Sequence, residues 1–432
     1  MENLYSKYCE CGFKVTTDSR AINGGEIFFA LRGENFDGNN YAMKALDGGA
    51  AWAVVNADAD LPQDERLIKV EDPFTTMQQL AIYHRTHIRG GELPVIGLTG
   101  TNGKTTTKNL IEAVLSRKFN VTATQGNLNN DIGVPLSLLR ITPETQIAVI
   151  EMGANHPNDI AKLVKVSQPA YGLITNVGKA HLLGFGSFEG VKAAKGELYN
   201  WLGSHGGLIF LNEDDADLRE MAAKQPCHSF GYGIAYQNAE VLAASSEEPF
   251  LRIRLDGDII RTQLVGAYNA TNVLAAIAVG EYFGVSRADA IAAVEGFTPK
   301  NNRSQMVKSE RNTLIVDAYN ANPSSMAAAL ENFESVVADR KIALLGDMRE
   351  LGEDSVAEHE KIVRRLSQAG IESYLVGDEF RKALEATGVQ LAGWFADSEA
   401  LASWLRDNAV SGAVVLVKGS RGIQMEKALP EL

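Results

Sequence analysis

The chain is poor in cysteine. Cys9, Cys11 and Cys227 are the only three in 432 residues, too few and too unevenly placed for a disulfide framework. Cys9-Glu10-Cys11 resembles half of a metal site, but the sequence holds no second pair to complete one. Long apolar runs are also missing. No stretch approaches the roughly 20 residues that a bilayer-spanning helix needs, so no membrane insertion is expected. The first residues, MENLYSKYCECG, lack the basic start and apolar core of a secretory leader, and a cytoplasmic protein is expected. Basic residues are outnumbered: 41 Lys and Arg against 54 Asp and Glu leave a net charge of −13. No Lys/Arg-rich tract stands out, which argues against nucleic acid as the main partner. There is no short-period repeat and no low-complexity tract.

Apolar residues are plentiful, at 45%. The length suits about three domains, each able to bury a core. Short apolar runs broken by glycine, at Ile27–Leu31, Ala51–Val55 and Leu67–Val70, describe a small α/β unit. A helical pattern over Thr75–His87 then leads to Arg89-Gly90-Gly91-Glu92-Leu93-Pro94, a first boundary. From Val95 strands and helices alternate. Strands are expected at Val95–Thr99, Val121–Thr124, Ile147–Glu151, Tyr171–Asn176 and Gly207–Leu211, with a helix over Lys104–Phe119. Such alternation predicts a mainly parallel sheet covered on both faces. Three short β-like runs in residues 239–265 suggest an antiparallel addition. Helices are expected over Asn269–Phe283 and Arg287–Glu295. Phe297-Thr298-Pro299-Lys300-Asn301-Asn302 is a second boundary. Beyond it, strands at Leu314–Asp317, Ile342–Leu345, Ser373–Val376 and Val414–Val417, with three helical segments, predict a doubly wound sheet. The fold expected is therefore α/β in three domains, residues 1–92, 93–298 and 299–432. The middle one is a phosphate-loop parallel-sheet ATPase and the last is Rossmann-like.

The most informative segment is Thr99-Gly100-Thr101-Asn102-Gly103-Lys104-Thr105-Thr106-Thr107, straight after the apolar run Val95–Leu98. A buried strand, a glycine turn, a lysine, hydroxyls and then a helix form a cradle for a nucleotide triphosphate. The glycines let backbone N–H groups close on phosphate oxygens. Lys104 would reach the β- and γ-phosphates and the Thr105 hydroxyl would bind Mg²⁺. The match is a variant: Leu98 stands where the usual pattern has its first glycine. Glu151, at the carboxyl end of an expected parallel strand, is placed where ligands gather and is a natural Mg²⁺ ligand. His181 follows the next strand, where imidazole can bind metal or donate to phosphate. Lys195 reads, from spacing alone, as part of a solvated helix face with Lys192 and Glu197. Asn269 and Asn272 share a helix face, where their amides could pair with a purine edge or where Asn269 simply caps the helix. Asp317-Ala318-Tyr319-Asn320-Ala321-Asn322-Pro323 and Val417-Lys418-Gly419-Ser420-Arg421-Gly422 each follow a strand. Polar and basic groups there face a ligand crevice and suit a carboxylate or phosphate.

Together these segments resemble the Mur ligase family, the ATP-dependent amide-forming enzymes of bacterial cell-wall synthesis, over nearly the whole chain. Thr17-Asp18-Ser19-Arg20, Phe28–Gly33 and Asp37-Gly38 resemble the family's UDP-sugar-binding part, and Thr99–Thr106 its own phosphate loop. Gly126–Leu136, with Asn129 and Asn130, and Asp317–Pro323 resemble stretches of the member that joins D-alanyl-D-alanine to UDP-N-acetylmuramoyl-tripeptide. The Asp-Asn-Pro-Arg signature of the neighbouring diamino-acid-adding member is absent from the sequence. The resemblance implies an acyl-phosphate ligase that uses ATP and Mg²⁺. It implies metal ligands at Thr105, Glu151, His181 and a carbamylated Lys195. Asn269, Asn272, Arg303 and Asp317 fall at ATP-side positions, with Tyr268 where the family often has histidine. Ser19, Arg20, Asn129, Asn130, Asn320, Asn322, Lys418, Ser420 and Arg421 fall on the peptide-substrate side. A monomer is expected. Two other readings stand beside this one: a sister amide ligase such as a folylpolyglutamate synthetase, and a nucleotide switch or motor ATPase.

Overall fold

The computed structural model describes residues 1–245, 248–299 and 303–432. Three parallel or mainly parallel sheets follow one another along the chain. The first has four parallel strands, in the order Val15–Thr16, Ile27–Phe29, Trp52–Asn56 and Leu67–Val70. Helix Pro73–His87 leaves this sheet. Asp72 starts it by accepting from the N–H groups of Phe74 and Thr75, with proline at the first turn. Its buried Met77, Leu80 and Ala81 recur at helical spacing, which fixes its inward face.

The central sheet has six parallel strands in the order His228–Tyr232, Leu208–Asn212, Tyr171–Ile174, Val95–Thr99, Ile147–Glu151 and Val121–Ala123. Every residue of Val95–Thr99 and Ile147–Glu151 is buried, as expected of central strands covered on both faces. Registers Leu98–Glu151 and Thr99–Ile174 bring the phosphate-loop turn, Glu151 and the Thr175-Asn176 turn to one end of the sheet. Helix Lys104–Leu115 begins after Gly103, whose φ of 78° suits glycine. It lays Leu110, Ile111, Val114 and Leu115 on the core. It also packs on helix Ala270–Tyr282 where Gly280 leaves no room: a Cβ there would sit 2.3 Å from a Val114 methyl. The helix ends four residues before the expected Phe119, because Ser116 closes it and the Lys118 ammonium turns to the carbonyls of Phe283 and Gly284.

An antiparallel three-stranded sheet, Glu240–Leu242, Arg252–Leu255 and Asp258–Arg261, fills the expected place. The last sheet runs Gln305–Lys308, Thr313–Asp317, Val414–Lys418, Lys341–Gly346, Glu372–Val376 and Gly393–Phe395. Only its first pair is antiparallel. Four α-helices rather than three alternate with these strands: Pro323–Ser335, Ser355–Ala369, Asp378–Thr387 and Ser398–Asp407. Strands His228–Tyr232, Gln305–Lys308 and Gly393–Phe395 also go beyond the expectation. Of the second expected boundary, Lys300, Asn301 and Asn302 lie outside the described residues. Among the described residues no helix is long and apolar enough to cross a membrane. The three cysteines are free.

Candidate active site

A cavity of about 700 Å³ opens where the central and C-terminal sheets face each other. Its central-sheet wall includes Thr101–Thr106, Asn129, Asn130, Glu151, His181, Asn269 and Asn272. Its opposite wall includes Arg303, Asp317, Asn320, Asn322 and Lys418. Residues up to 317 positions apart in sequence are thus brought to one space, and most of the sequence-derived candidates are among them.

The glycine turn is clamped from the neighbouring strand end. Asn102 donates its N–H to the Asn176 side-chain oxygen at 3.0 Å. The Asn102 carbonyl accepts from Asn176 Nδ2 at 3.0 Å and from the Thr175 hydroxyl at 2.6 Å. Gly100 has φ 143°, and a Cβ there would lie 2.0 Å from that same hydroxyl. Thr99 and Gly100 therefore shape the turn from outside the cavity. Asn176 was not among the expected residues. Its sequence signal is the one that pointed to Glu151, a polar group just past a parallel strand. Lys104 Nζ donates to the Gly100 and Thr101 carbonyls at 2.7 and 3.0 Å, folded onto its own loop. Burial pulls its pKa down, Glu151 opposes that shift, and Arg303 adds to it.

Glu151 is buried. One oxygen accepts from Asn129 Nδ2 at 2.8 Å; the other, Oε2, is buried with no hydrogen-bond partner among the described residues. An unpaired buried carboxylate oxygen is costly unless a cation or donor joins it. Thr105 lines the same cavity, and a hydroxyl with a carboxylate suits Mg²⁺, an ion that keeps few protein ligands and takes the rest from phosphate and water. No group of three His, Cys, Asp or Glu side chains is placed to hold a metal among the described residues. His181 sits at φ 51° and pairs through Nδ1 with the Glu350 carboxylate. Burial lowers its pKa against the pull of Glu350.

Lys195 does not line the cavity and is not on a solvated face. It is buried one layer behind, with Nζ donating to the carbonyl of the cavity residue Ala154 at 3.3 Å and lying 5.4 Å from the Phe185 ring. Burial, with Lys104 nearby, brings its pKa down to about 7. Asn269 and Asn272 line the cavity, but their amides are engaged. Asn269 Nδ2 donates to the Val265 carbonyl at 2.8 Å, and Asn272 Nδ2 to Asn269 Oδ1 at 2.9 Å. Asn272 Oδ1 in turn accepts from the Thr107 hydroxyl at 3.0 Å. The pair forms a chain that ties the phosphate-loop helix to helix Ala270–Tyr282 and leaves each Nδ2 a second hydrogen. Tyr268 bonds Ser304 at 3.1 Å, its side chain partly open to the cavity.

On the C-terminal wall, register places Asp317 beside Lys418, and Nζ donates to the carboxylate at 2.5 Å and to the Asn320 carbonyl at 3.2 Å. Arg303 stacks on Tyr319, 3.5 Å from the ring centroid. Asn322 caps helix Pro323–Ser335 and donates to Asn102 Oδ1 at 2.8 Å. Ser420 and Arg421 stand just behind the cavity. Ser420 donates to the Ala321 carbonyl, and Arg421 donates to the Tyr319 hydroxyl at 3.1 Å. Ser19 and Arg20 belong to the N-terminal unit, outside this cavity. The Arg20 side chain, 84% exposed, holds Asp18 through two bonds and draws its carboxyl down to about 2.

Family models for the Mur ligases match along the chain: the catalytic-domain model over residues 14–85, the middle domain over 98–280 and the glutamate ligase domain over 302–421. The chain belongs to the Mur ligase family and is an ATP-dependent ligase. It is 35% identical to the UDP-N-acetylmuramoyl-tripeptide–D-alanyl-D-alanine ligase of Escherichia coli (strain K12), over 97% of this chain and 93% of that one. It is 32% identical to the Bacillus subtilis (strain 168) enzyme of the same name, over 97% and 92%. The MurF crystal structure from Acinetobacter baumannii superposes with a TM-score of 0.82 at 31% identity, covering 97% of this chain and 93% of that one. The MurF ligase of Thermotoga maritima, solved in complex with ADP, gives 0.82 at 26% identity, covering 97% and 96%.

Proposed function

We infer that this chain joins D-alanyl-D-alanine to UDP-N-acetylmuramoyl-tripeptide, with ATP as co-substrate, in peptidoglycan precursor synthesis. The observation that carries the reading is the shared cavity, in which the Lys104 loop faces Asp317, Asn320 and Lys418 of the other sheet. The tripeptide carboxylate attacks the γ-phosphorus, ADP leaves, and an acyl phosphate forms. The dipeptide amine then attacks the acyl carbon, loses a proton and expels phosphate. Residues 1–92 would hold the UDP-sugar through Ser19 and Arg20. Residues 93–298 would hold ATP, and 299–432 the incoming dipeptide.

Loop N–H groups and Lys104 would stabilise charge on the phosphates as it moves. To do so Lys104 exchanges its two loop carbonyls for phosphate oxygens. Thr105 and Glu151 would hold one Mg²⁺, and His181 with a carbamate on Lys195 a second. When bound, these ions would neutralise charge on phosphate and carboxylate oxygens. Much of the rate then comes from holding carboxylate, phosphoryl group and amine in line. A monomer acting in the cytoplasm is the setting this reading implies.

The test is ADP release by the purified chain with ATP, UDP-N-acetylmuramoyl-tripeptide and D-alanyl-D-alanine. One ADP per amide is expected, with little release when the dipeptide is omitted. Lys104→Ala should lower turnover by roughly a thousandfold with an unchanged melting temperature. Full-rate ATP hydrolysis without either peptide substrate, or amide formation with folate and glutamate instead, would overturn the reading.

A further inference from the structure

We propose that Glu350 is a positioning residue for His181, supplied across the cavity by the C-terminal unit. It fixes the imidazole tautomer that leaves Nε2 free for a ligand. The inference rests on the ligase reading above and adds a residue to it.

Glu350 lies 169 positions from His181, on the turn that follows strand Lys341–Gly346. Its carboxylate pairs with His181 Nδ1. A carboxylate only accepts, so Nδ1 carries the hydrogen, and in the neutral imidazole Nε2 keeps the lone pair. Nε2 has no hydrogen bond among the described residues, while His181 itself lines the cavity. Histidines that ligate metals usually donate from the other ring nitrogen to a carboxylate or carbonyl, which sets ring orientation and basicity. Here that second partner comes from a different sheet.

Two further observations show that the contact is built. His181 and Glu350 both hold left-handed backbone, φ 51° and 63°, where neither is glycine. Such conformations are unfavourable for side chains other than glycine and persist where the surroundings impose them. The Glu350 carbonyl also accepts from Leu183 N–H at 3.3 Å, so main chain and side chain of Glu350 grip the same turn. The other end of the Glu350 turn is tied to the loop that follows Lys418. Arg349 N–H donates to the Ser420 hydroxyl at 2.9 Å, and Ser420 N–H to the Asp347 carbonyl at 3.1 Å. The residue that orients His181 is thus rigidly linked to the wall proposed for the dipeptide. The phosphate side of the cavity is complete only when that wall is in place, which would hold back idle hydrolysis of ATP.

The test compares Glu350→Ala and Glu350→Gln in the full-length chain. Gln keeps an accepting oxygen and should retain the wild-type behaviour. Imidazole ¹⁵N shifts report the His181 tautomer without turnover. Wild type and Glu350→Gln should show hydrogen on Nδ1, and Glu350→Ala a shift towards hydrogen on Nε2. Mn²⁺ binding, followed by electron paramagnetic resonance with a nonhydrolysable ATP analogue, should weaken about 10- to 100-fold in Glu350→Ala. The kcat should fall while KM for ATP stays within about twofold of wild type. An unchanged tautomer or unchanged Mn²⁺ affinity in Glu350→Ala overturns the proposal. Wild-type protein that forms no amide at all would instead remove the ligase reading, leaving the tautomer result to stand by itself.

Discussion

Lys195 shows how a single burial changes the meaning of a residue. Read along its helix it belongs with Lys192, which is half-buried and paired with Asp217 and Glu220, but the turn of the helix puts Lys195 2% exposed behind Ala154. Desolvation and the nearby Lys104 bring its pKa from 10.5 to about 7. The unfolded chain keeps this proton up to roughly pH 10. Between pH 7 and 10 the unfolded state therefore binds more protons, and stability rises with pH across that window. Thermal melts at pH 7 and pH 9 should show this rise in wild type and a smaller one in Lys195→Met; equal slopes would mean that folding does not lower the pKa of the lysine. The neutral amine is also the form that adds carbon dioxide, losing a proton to give a carbamate. Lys195→Ala should be severely impaired and partly rescued by a short carboxylic acid, which supplies the missing anion. A fully active Lys195→Ala would remove the carbamate from the site.

At the scale of elements, the phosphate turn is held by hydrogen bonds from helices and strands that the chain reaches much later. Thr107, Asn272, Asn269 and the Val265 carbonyl form one unbroken series. Gly103 sits directly on it, since a Cβ there would come within 2.8 Å of Asn272 Oδ1. Asn272→Ala leaves the buried Thr107 hydroxyl without its acceptor, at a cost of about 1–3 kcal/mol. The expected result is a lower urea midpoint and a raised KM for ATP; Asn272→Asp, which keeps the acceptor, should recover more of the KM than Asn272→Ala. An unaltered KM in Asn272→Ala would separate the series from nucleotide binding. The sequence showed that these two asparagines share a face, but the hydroxyl they serve lies 165 residues away, beyond any local pattern. The same limit explains the strands. Val95–Thr99, Ile147–Glu151 and Thr313–Asp317 were legible because central strands are continuous apolar runs. His228–Tyr232, Gln305–Lys308 and Gly393–Phe395 are edge strands with polar or half-exposed residues, so no apolar run announced them. Glu350 carried no local signal at all; its role exists only because two sheets meet.

Across the whole molecule, the side-chain contacts that join the phosphate-loop side to the C-terminal side include His181 with Glu350, Lys179 with Glu358 at 3.2 Å, and Asn102 with Asn322 at 2.8 Å. The last joins the glycine turn itself to the first turn of helix Pro323–Ser335, which carries the proposed dipeptide wall. If ATP and dipeptide binding are coupled, this amide pair is the shortest route, and linkage requires each ligand to tighten the other by the same factor. Asn322 also caps its helix through Oδ1, so Asn322→Ala would confuse cap loss with contact loss. Asn322→Asp separates the two, because it keeps the accepting oxygen for Ser325 N–H and removes the Nδ2 donor to Asn102. Calorimetric titration of D-alanyl-D-alanine, with and without a nonhydrolysable ATP analogue, measures the coupling. In wild type the analogue should tighten the dipeptide, and Asn102→Ala or Asn322→Asp should each remove much of that gain. The double variant should lose no more than either single one, an interaction energy of about 0.5–3 kcal/mol. Additive losses would place the two asparagines on separate routes, and no coupling in wild type would mean that the two walls of the cavity take their ligands independently.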